Sequence, residues 1–355
     1  MTSAFAQHLP GIRPAQVATA RLRMHLLGSG AADGEPVLFV HGNFSSSTYF
    51  EELMLAMPAS YRCLAVDLRG YGDTEDRPID ATRGARDWAD DLDALLRALA
   101  LPAVHLVGWS AGVAAIMQFA IDHPRAAKSL TLIAPVSPYG FGGTRDPQGA
   151  PCNSDYAGSG GGVVAAEFVE RLQAGDLGEA SEFSPRNVIR NSFFSQPLAL
   201  DREEQLLRGS LRQRLGERHY PGDCEASPHW PFVAPGRFGP LNAISPKYFD
   251  LSAFADISPQ PPVLWVRGDR DSIIGDQSRS DPAVLGREGL IPGWPGAERY
   301  PPQPMLAQTR ELLRRYAANG GDFLEVVMPG VGHSPFLEDQ ANFLRAFRGF
   351  LEDAR

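Results

Sequence analysis

Short apolar runs recur along this chain, and between them lie stretches whose apolar residues return every three to four positions. The β-type runs fall at residues 21–27, 37–40, 63–67, 104–107, 130–134, 263–267 and 323–328, and helical periodicity marks 87–100, 112–123, 303–318 and 339–353. Strands alternating with helices predict an α/β fold, a mostly parallel sheet with helices on both faces. Residues 37–40, 104–107 and 263–266 are nearly continuous apolar segments, as fits central strands covered on both sides. Residues 21–27 alternate instead, which predicts an antiparallel strand at the sheet edge.

The rhythm breaks between residues 138 and 258, where glycine and proline are dense and aromatics are scattered. Helical pieces at 163–174 and 202–214 make this stretch an insertion rather than a linker, and a long insertion in such a fold is expected to serve as a lid. The predicted organisation is therefore a core of residues 1–137 and 259–355 with a lid of residues 138–258. The glycine run at 158–162 lacks the Gly–Lys–Ser/Thr ending and the preceding strand of a phosphate cradle, so it reads as a flexible segment. Phe193, Phe194, Trp230, Phe232, Tyr248 and Phe249 are expected to form mainly the lid's own small core. A second irregular stretch covers 274–304.

Composition narrows the classes. With 355 residues, 43% of them hydrophobic, the chain can bury a sizeable core. A formal charge of −9, only two lysines (Lys128 and Lys247) and no basic block argue against nucleic acid as a partner. No run reaches the roughly 20 apolar residues of a membrane span, and residues 1–30 lack a signal-peptide pattern, so a cytoplasmic location is expected. Cys63, Cys152 and Cys224 are odd in number and widely spaced, which fits reduced thiols. His219, Cys224 and His229 match no common zinc spacing, and no metal or cofactor is implied.

The chemistry concentrates at strand ends. Residues 104–107 run into Gly108–Trp109–Ser110–Ala111–Gly112 and then a helix, which is the strand–turn–helix setting of a nucleophile elbow. Lifting a serine hydroxyl off a sheet edge takes a sharp turn, and the two glycines remove side chains that would collide there. A serine needs a histidine base with a carboxylate behind it. Among eight histidines, His333 stands in Gly330–Val331–Gly332–His333–Ser334–Pro335, after the last strand run and before the final helix. Asp269 and Asp271 both follow the run at 263–267 and are both candidates for the carboxylate. The turn itself offers the Ala111 amide to an oxyanion, and a second donor is expected from His41–Gly42–Asn43–Phe44.

In combination these motifs, together with Asp67–Leu68–Arg69–Gly70–Tyr71–Gly72–Asp73–Thr74, resemble those of the α/β-hydrolase superfamily, over residues 20–137 and 259–353. The resemblance implies the α/β-hydrolase fold with a large inserted lid. It implies Asp271 rather than Asp269 as the acid, the Asn43 amide as the second oxyanion donor and Phe44 as a pocket wall. Trp109, beside the nucleophile, is placed with Phe44 at the substrate site, its bulk serving mainly as packing under the lid. Ser110 disfavours the dehalogenases and epoxide hydrolases of the superfamily, which carry aspartate there. The expected activity is hydrolysis of a small-molecule carboxylic ester with an apolar acyl or alcohol part by a Ser110–His333–Asp271 triad, the apolar preference following from a sizeable lid rich in apolar residues. Amide, lactone, carbon–carbon bond or polyester hydrolysis and cofactor-free perhydrolysis use the same groups, and a ligand receptor on this fold is the reading from a different class.

Overall fold

Alternate residues of the central strands feed two separate cores, which is why those strands are almost continuously apolar. Val37 and Phe39 are buried in one core and Leu38 and Val40 in the other. The computed structural model describes residues 8–196 and 201–354. Among these, β1 (Arg13–Ala18), β2 (Arg23–Gly30), β3 (Glu35–Val40), β4 (Tyr61–Val66), β5 (Val104–Trp109) and β6 (Ala127–Ile133) precede a small separate hairpin of β7 (Cys224–Ala226) and β8 (Val233–Pro235). Strands β9 (Val263–Gly268) and β10 (Phe323–Met328) complete an eight-stranded sheet of order β1-β2-β4-β3-β5-β6-β9-β10.

All neighbours in the sheet are parallel except β1 with β2 and β2 with β4. The expected edge strand at 21–27 is antiparallel, but it is not the edge. Strand β1 lies outside it with five of its six residues exposed, so it carries almost no apolar signal in the sequence.

Helices α1 (Glu51–Ala56), α2 (Arg86–Ala98) and α3 (Gly112–Asp122) lie in the first half of the chain. On one face, Trp88, Leu92, Leu95 and Leu96 of α2 pack with α3 in a single cluster, joined by Leu312, Leu313 and Tyr316 of a later helix. After β6 come α4 (Ala166–Gln173), α5 (Pro185–Ser192), α6 (Glu203–Ser210) and α7 (Pro240–Ala243), then α8 (Pro282–Arg287), α9 (Met305–Ala318), α10 (Pro335–Glu338) and α11 (Gln340–Asp353). Phe343, Phe347 and Leu351 of α11, at helical spacing, join Leu53 and Met54 of α1 on the opposite face.

The helical pieces expected at 163–174 and 202–214 are shorter than their apolar patterns, spanning Ala166–Gln173 and Glu203–Ser210. Beyond α6 the chain turns away, and the Arg214 amide donates to the Gly70 carbonyl at 2.8 Å. The glycine run at 158–162 is not a free hinge. The Gly158 amide donates to Val233 O at 2.9 Å, the Gly161 amide to Asn242 Oδ1 at 2.9 Å, and a Cβ on Gly160 would stand 2.3 Å from Asn242 Oδ1. These glycines are there because other backbone and side chains press against them. The expected lid, 138–258, includes residues 197–200, which lie outside the described residues.

The sheet also fixes where chemistry can occur. From β3 the chain passes to β4 on one side, whereas β5 returns on the other, so a crevice opens at the carboxyl ends of β3 and β5.

Candidate active site

Ser110 sits where β5 ends and α3 begins, with φ +54°, a left-handed conformation that an L residue adopts only under constraint. The constraint is visible. The Ser110 amide donates to Ile133 O at 2.9 Å, and its carbonyl accepts from Val113 N at 3.1 Å and Val136 N at 3.3 Å. A Cβ on Gly108 would lie 2.9 Å from Val113 N, and one on Gly112 would lie 2.4 Å from both the Val40 and His41 carbonyl oxygens. Across the crevice, a Cβ on Gly42 would lie 2.8 Å from Ser110 Cβ, so the loop after β3 presses directly on the elbow.

His333 and Asp271 meet at the ends of β10 and β9. Nδ1 of His333 lies 2.8 Å from Asp271 Oδ2, with both side chains almost wholly buried. The other carboxylate oxygen, Oδ1, accepts from the amides of Ile273 at 2.8 Å and Ile274 at 2.9 Å, which locks the acid in place. Asp269, the alternative acid, accepts instead from the Gly330 amide at 2.6 Å and ties the two loops together from outside. The base loop is anchored to the elbow by the Trp109 indole N–H, which donates to the His333 carbonyl at 2.8 Å. Among the described residues no hydrogen bond joins Ser110 Oγ to His333; such contacts commonly form only when substrate is present.

The loop carrying Asn43 is held from beneath. Leu68 N–H donates to His41 Nε2 at 3.0 Å, so the ring proton is on Nδ1, which donates to Gly42 O at 2.8 Å. Complete burial lowers the His41 pKa and keeps the ring neutral. Burial alone would raise Asp67, but the hydrogen bond and the charge of His25 and the Ser47 amide hold its carboxyl far below the usual range. The Asn43 side chain accepts from the Tyr71 hydroxyl at 2.9 Å. Among the described residues, neither the Asn43 nor the Ala111 amide donates to a protein acceptor.

Aromatic rings close the site. Phe44 (φ +50°) is buried between Phe168 and Phe193, at centroid distances of 5.1 and 6.3 Å. Trp109 is fully buried against Tyr49, Phe193 and Phe336, with its only N–H spent on the base loop. Burial pushes the thiols of Cys63 and Cys152 up to about 12, so neither competes with Ser110 as a nucleophile at neutral pH. Among the described residues no group of three or more His, Cys, Asp or Glu side chains is placed to hold a metal ion, and no helix is long and apolar enough to cross a membrane. A concavity of about 480 Å³ beside Leu101, Phe119 and His123 lies at the other end of β5 and contains none of these groups.

Residues 37–346 match the Alpha/beta hydrolase family. The chain belongs to that family. This alpha/beta hydrolase is 36% identical over 107 residues to the protein named Probable lysophospholipase BODYGUARD 1 of Arabidopsis thaliana, a match covering 28% of this chain and 23% of that protein. It is 34% identical over 121 residues to 2-hydroxymuconate semialdehyde hydrolase of Pseudomonas sp. (strain CF600), covering 33% of this chain and 42% of that protein. The matches thus span less than half the length of these curated relatives. The esterase EaEST of Exiguobacterium antarcticum shares the fold, with a TM-score of 0.59 and 15% identity over 96% of this chain and 100% of that one.

For an alpha/beta hydrolase, the motif-bearing loops hold few surprises; the groups that approach from residues 138–258 hold more. Phe193 and Phe194 were expected in the insertion's own core, yet Phe193 packs on Trp109 at 5.2 Å and on His333 at 6.0 Å. Trp230 instead packs on Tyr300 in a separate small cluster, Phe249 joins the core beside α3, and Phe232 is 61% exposed. Glu338, which accepts from the Gly332 amide at 2.8 Å, and Tyr220, whose ring lies 6.5 Å from that of Phe168, also reach the site's surroundings, and neither stands in any of the motifs. Glu338 follows His333 by five residues, a spacing that one turn of helix α10 folds back toward the base loop.

Proposed function

We propose that this alpha/beta hydrolase is a serine hydrolase that cleaves a carboxylic ester with an apolar acyl or alcohol part through an acyl-enzyme. The observation that carries the reading is the 2.8 Å contact of His333 Nδ1 with Asp271 Oδ2, taken with Ser110 held at φ +54° on a strand-to-helix elbow. With its Nδ1–H donated to Asp271, the imidazole keeps a lone pair on Nε2, the form a general base requires. His333 Nε2 takes the hydroxyl proton as Ser110 Oγ attacks the carbonyl carbon. The negative charge that develops on the carbonyl oxygen is received by the amides of Asn43 and Ala111, each such donor being worth about 3–4 kcal/mol. His333 then protonates the departing alkoxide, and a water activated by the same nitrogen releases the acid.

Asp271 keeps the ring in this tautomer and stabilises the imidazolium in each step. Its own two backbone hydrogen bonds keep it aimed. The apolar substrate preference rests on Phe44, Phe168 and Phe193, which pack together beside Asn43 and Trp109. Residues 138–258 act as the lid, since they supply Phe168 and Phe193. The test is turnover of p-nitrophenyl acetate to decanoate by the wild type and by Ser110→Ala. The wild type turns over and the variant, with an unchanged circular dichroism spectrum, does not; equal rates in the two would overturn the assignment.

A further inference from the structure

One short stretch of the lid, residues 192–195, touches the elements that carry each candidate catalytic group. Next to the acid, Ser272 Oγ donates to the Ser192 carbonyl at 3.4 Å. On the elbow side, Phe193 lies against Trp109 at 5.2 Å, and on the oxyanion side against Phe44 at 6.3 Å. On the base loop, a Cβ on Gly332 would come within 2.5 Å of Ser195 N and 2.8 Å of the Phe194 carbonyl carbon. The strap therefore lies on the backbone that immediately precedes His333.

Glu338 fastens it there. One carboxylate oxygen accepts from the Ser195 amide at 3.0 Å and from the Ser195 hydroxyl, while the other accepts from the Gly332 amide at 2.8 Å. A single side chain thus joins the base loop to the lid strap. No cation pairs with it among the described residues, so backbone and hydroxyl donors satisfy the charge.

We infer that Glu338 is a positioning residue that clasps the strap to the His333 loop, and that Phe193, placed by this clasp, sets the length of acyl group admitted to Ser110. The inference rests on the serine-hydrolase reading for its catalytic meaning; the clasp itself does not. Neutralising or removing the carboxylate frees Ser195 and lets Phe193 leave Trp109, which opens room for a longer chain. Gln keeps the shape but loses one acceptor, so Glu338→Gln falls between the wild type and Glu338→Ala.

The experiment compares wild type, Phe193→Ala, Glu338→Gln, Glu338→Ala and the double variant Phe193→Ala/Glu338→Ala. Each is assayed on the p-nitrophenyl ester series with active sites counted by a fluorophosphonate probe, and amide hydrogen exchange is followed at Ser195 and Gly332. Phe193→Ala moves the chain-length optimum at least two carbons longer and lowers kcat/KM on the acetate about tenfold. Glu338→Ala moves the optimum the same way, the double variant moves it no further than Phe193→Ala alone, and exchange at both amides rises about tenfold or more. Chain-length profiles that keep the wild-type shape in the Glu338 variants, or a double variant whose shifts add, would overturn the specificity role. Unchanged exchange at Ser195 and Gly332 in Glu338→Ala would overturn the clasp. Failure of the underlying reading looks different: wild type with no probe label and no ester turnover, whatever the exchange data show.

Discussion

The loops at the carboxyl ends of β3, β5, β9 and β10 and the segment 138–258 face one another across Ser110, but they are held in place by different physics. In the loops, each critical group is fixed by backbone within a few residues of a strand end: Asp271 by the amides of Ile273 and Ile274, Ser110 by its own turn, His41 by Gly42 and Leu68. In the segment, short helices are pinned to one another by side-chain ion pairs, such as Glu203 with Arg186 at 2.8 Å and Arg190 at 2.5 Å between α5 and α6. Locally determined loops tolerate little change and keep their geometry. A segment assembled by side-chain pairs can differ in sequence and still fold, so on the proposed reading it is where selectivity is adjusted.

The sharpest way to break that contrast is to compare truncations on its two sides. His333→Ala is expected to lower kcat/KM for p-nitrophenyl esters by about 10⁴-fold or more, because the attacking hydroxyl loses its base. Phe168→Ala, on the lid side, is expected to change it by about tenfold or less and to alter the acyl preference instead. Steady-state kinetics on the ester series checks both, and a lid truncation as damaging as His333→Ala would erase the distinction.

Ion pairs provide the next test. Asp91 is fully buried and accepts Arg69 Nε and Nη2 at 2.8 Å each, with Arg21 Nε at 2.7 Å. Asp91→Ala leaves Arg69 buried without its partner and is expected to cost about 3–5 kcal/mol in urea unfolding. Arg190→Ala breaks half-exposed pairs within the segment 138–258 and is expected to cost about 1 kcal/mol or less. Equal losses would mean that segment is as cooperatively built as the core.

These differences also explain what could be read from the chain. The parallel sheet, the elbow and the base loop were legible because continuous apolar strands, glycines at steric contacts and a histidine after the last strand leave local marks. Between Asp269 and Asp271 the residues themselves left both open and the family resemblance implied Asp271; both stand on the same loop, where Asp271 meets His333 and Asp269 meets the Gly330 amide. Strand β1 was missed because its exposed side chains give no period. The 158–162 glycines were misread because crowding from Asn242, Pro235 and Tyr300, all far away in sequence, leaves no local trace. Gly160→Ala sharpens this point. A Cβ there meets Pro235 Cβ at 2.7 Å, so the variant is expected to lose about 1–3 kcal/mol in the same urea experiment, whereas a flexible glycine would lose nothing.

The smallest effect is a pH dependence under the oxyanion loop. Burial disfavours protonated His25, but its hydrogen bond to Asp67 and that carboxylate's charge win, so its pKa is raised above 6.5. Protonated His25 therefore contributes stability that is complete below the ordinary value and is lost as pH rises through the folded one. Asp67, held low, contributes above its ordinary 3.8 and loses this only as pH falls well below it. Between pH 6 and 9 the melting temperature of the wild type is expected to fall more than that of His25→Gln; parallel curves would remove His25 from the account.

The central claim is that Ser110 is a nucleophile activated by His333. Its most direct test is reaction with a fluorophosphonate followed by peptide mapping, with labelling rates measured for the wild type, Ser110→Ala and His333→Ala. The account predicts a single phosphonyl adduct on Ser110, none in Ser110→Ala, and labelling slowed about 10³-fold or more in His333→Ala. An adduct elsewhere, or labelling of Ser110 at the wild-type rate without His333, would contradict it.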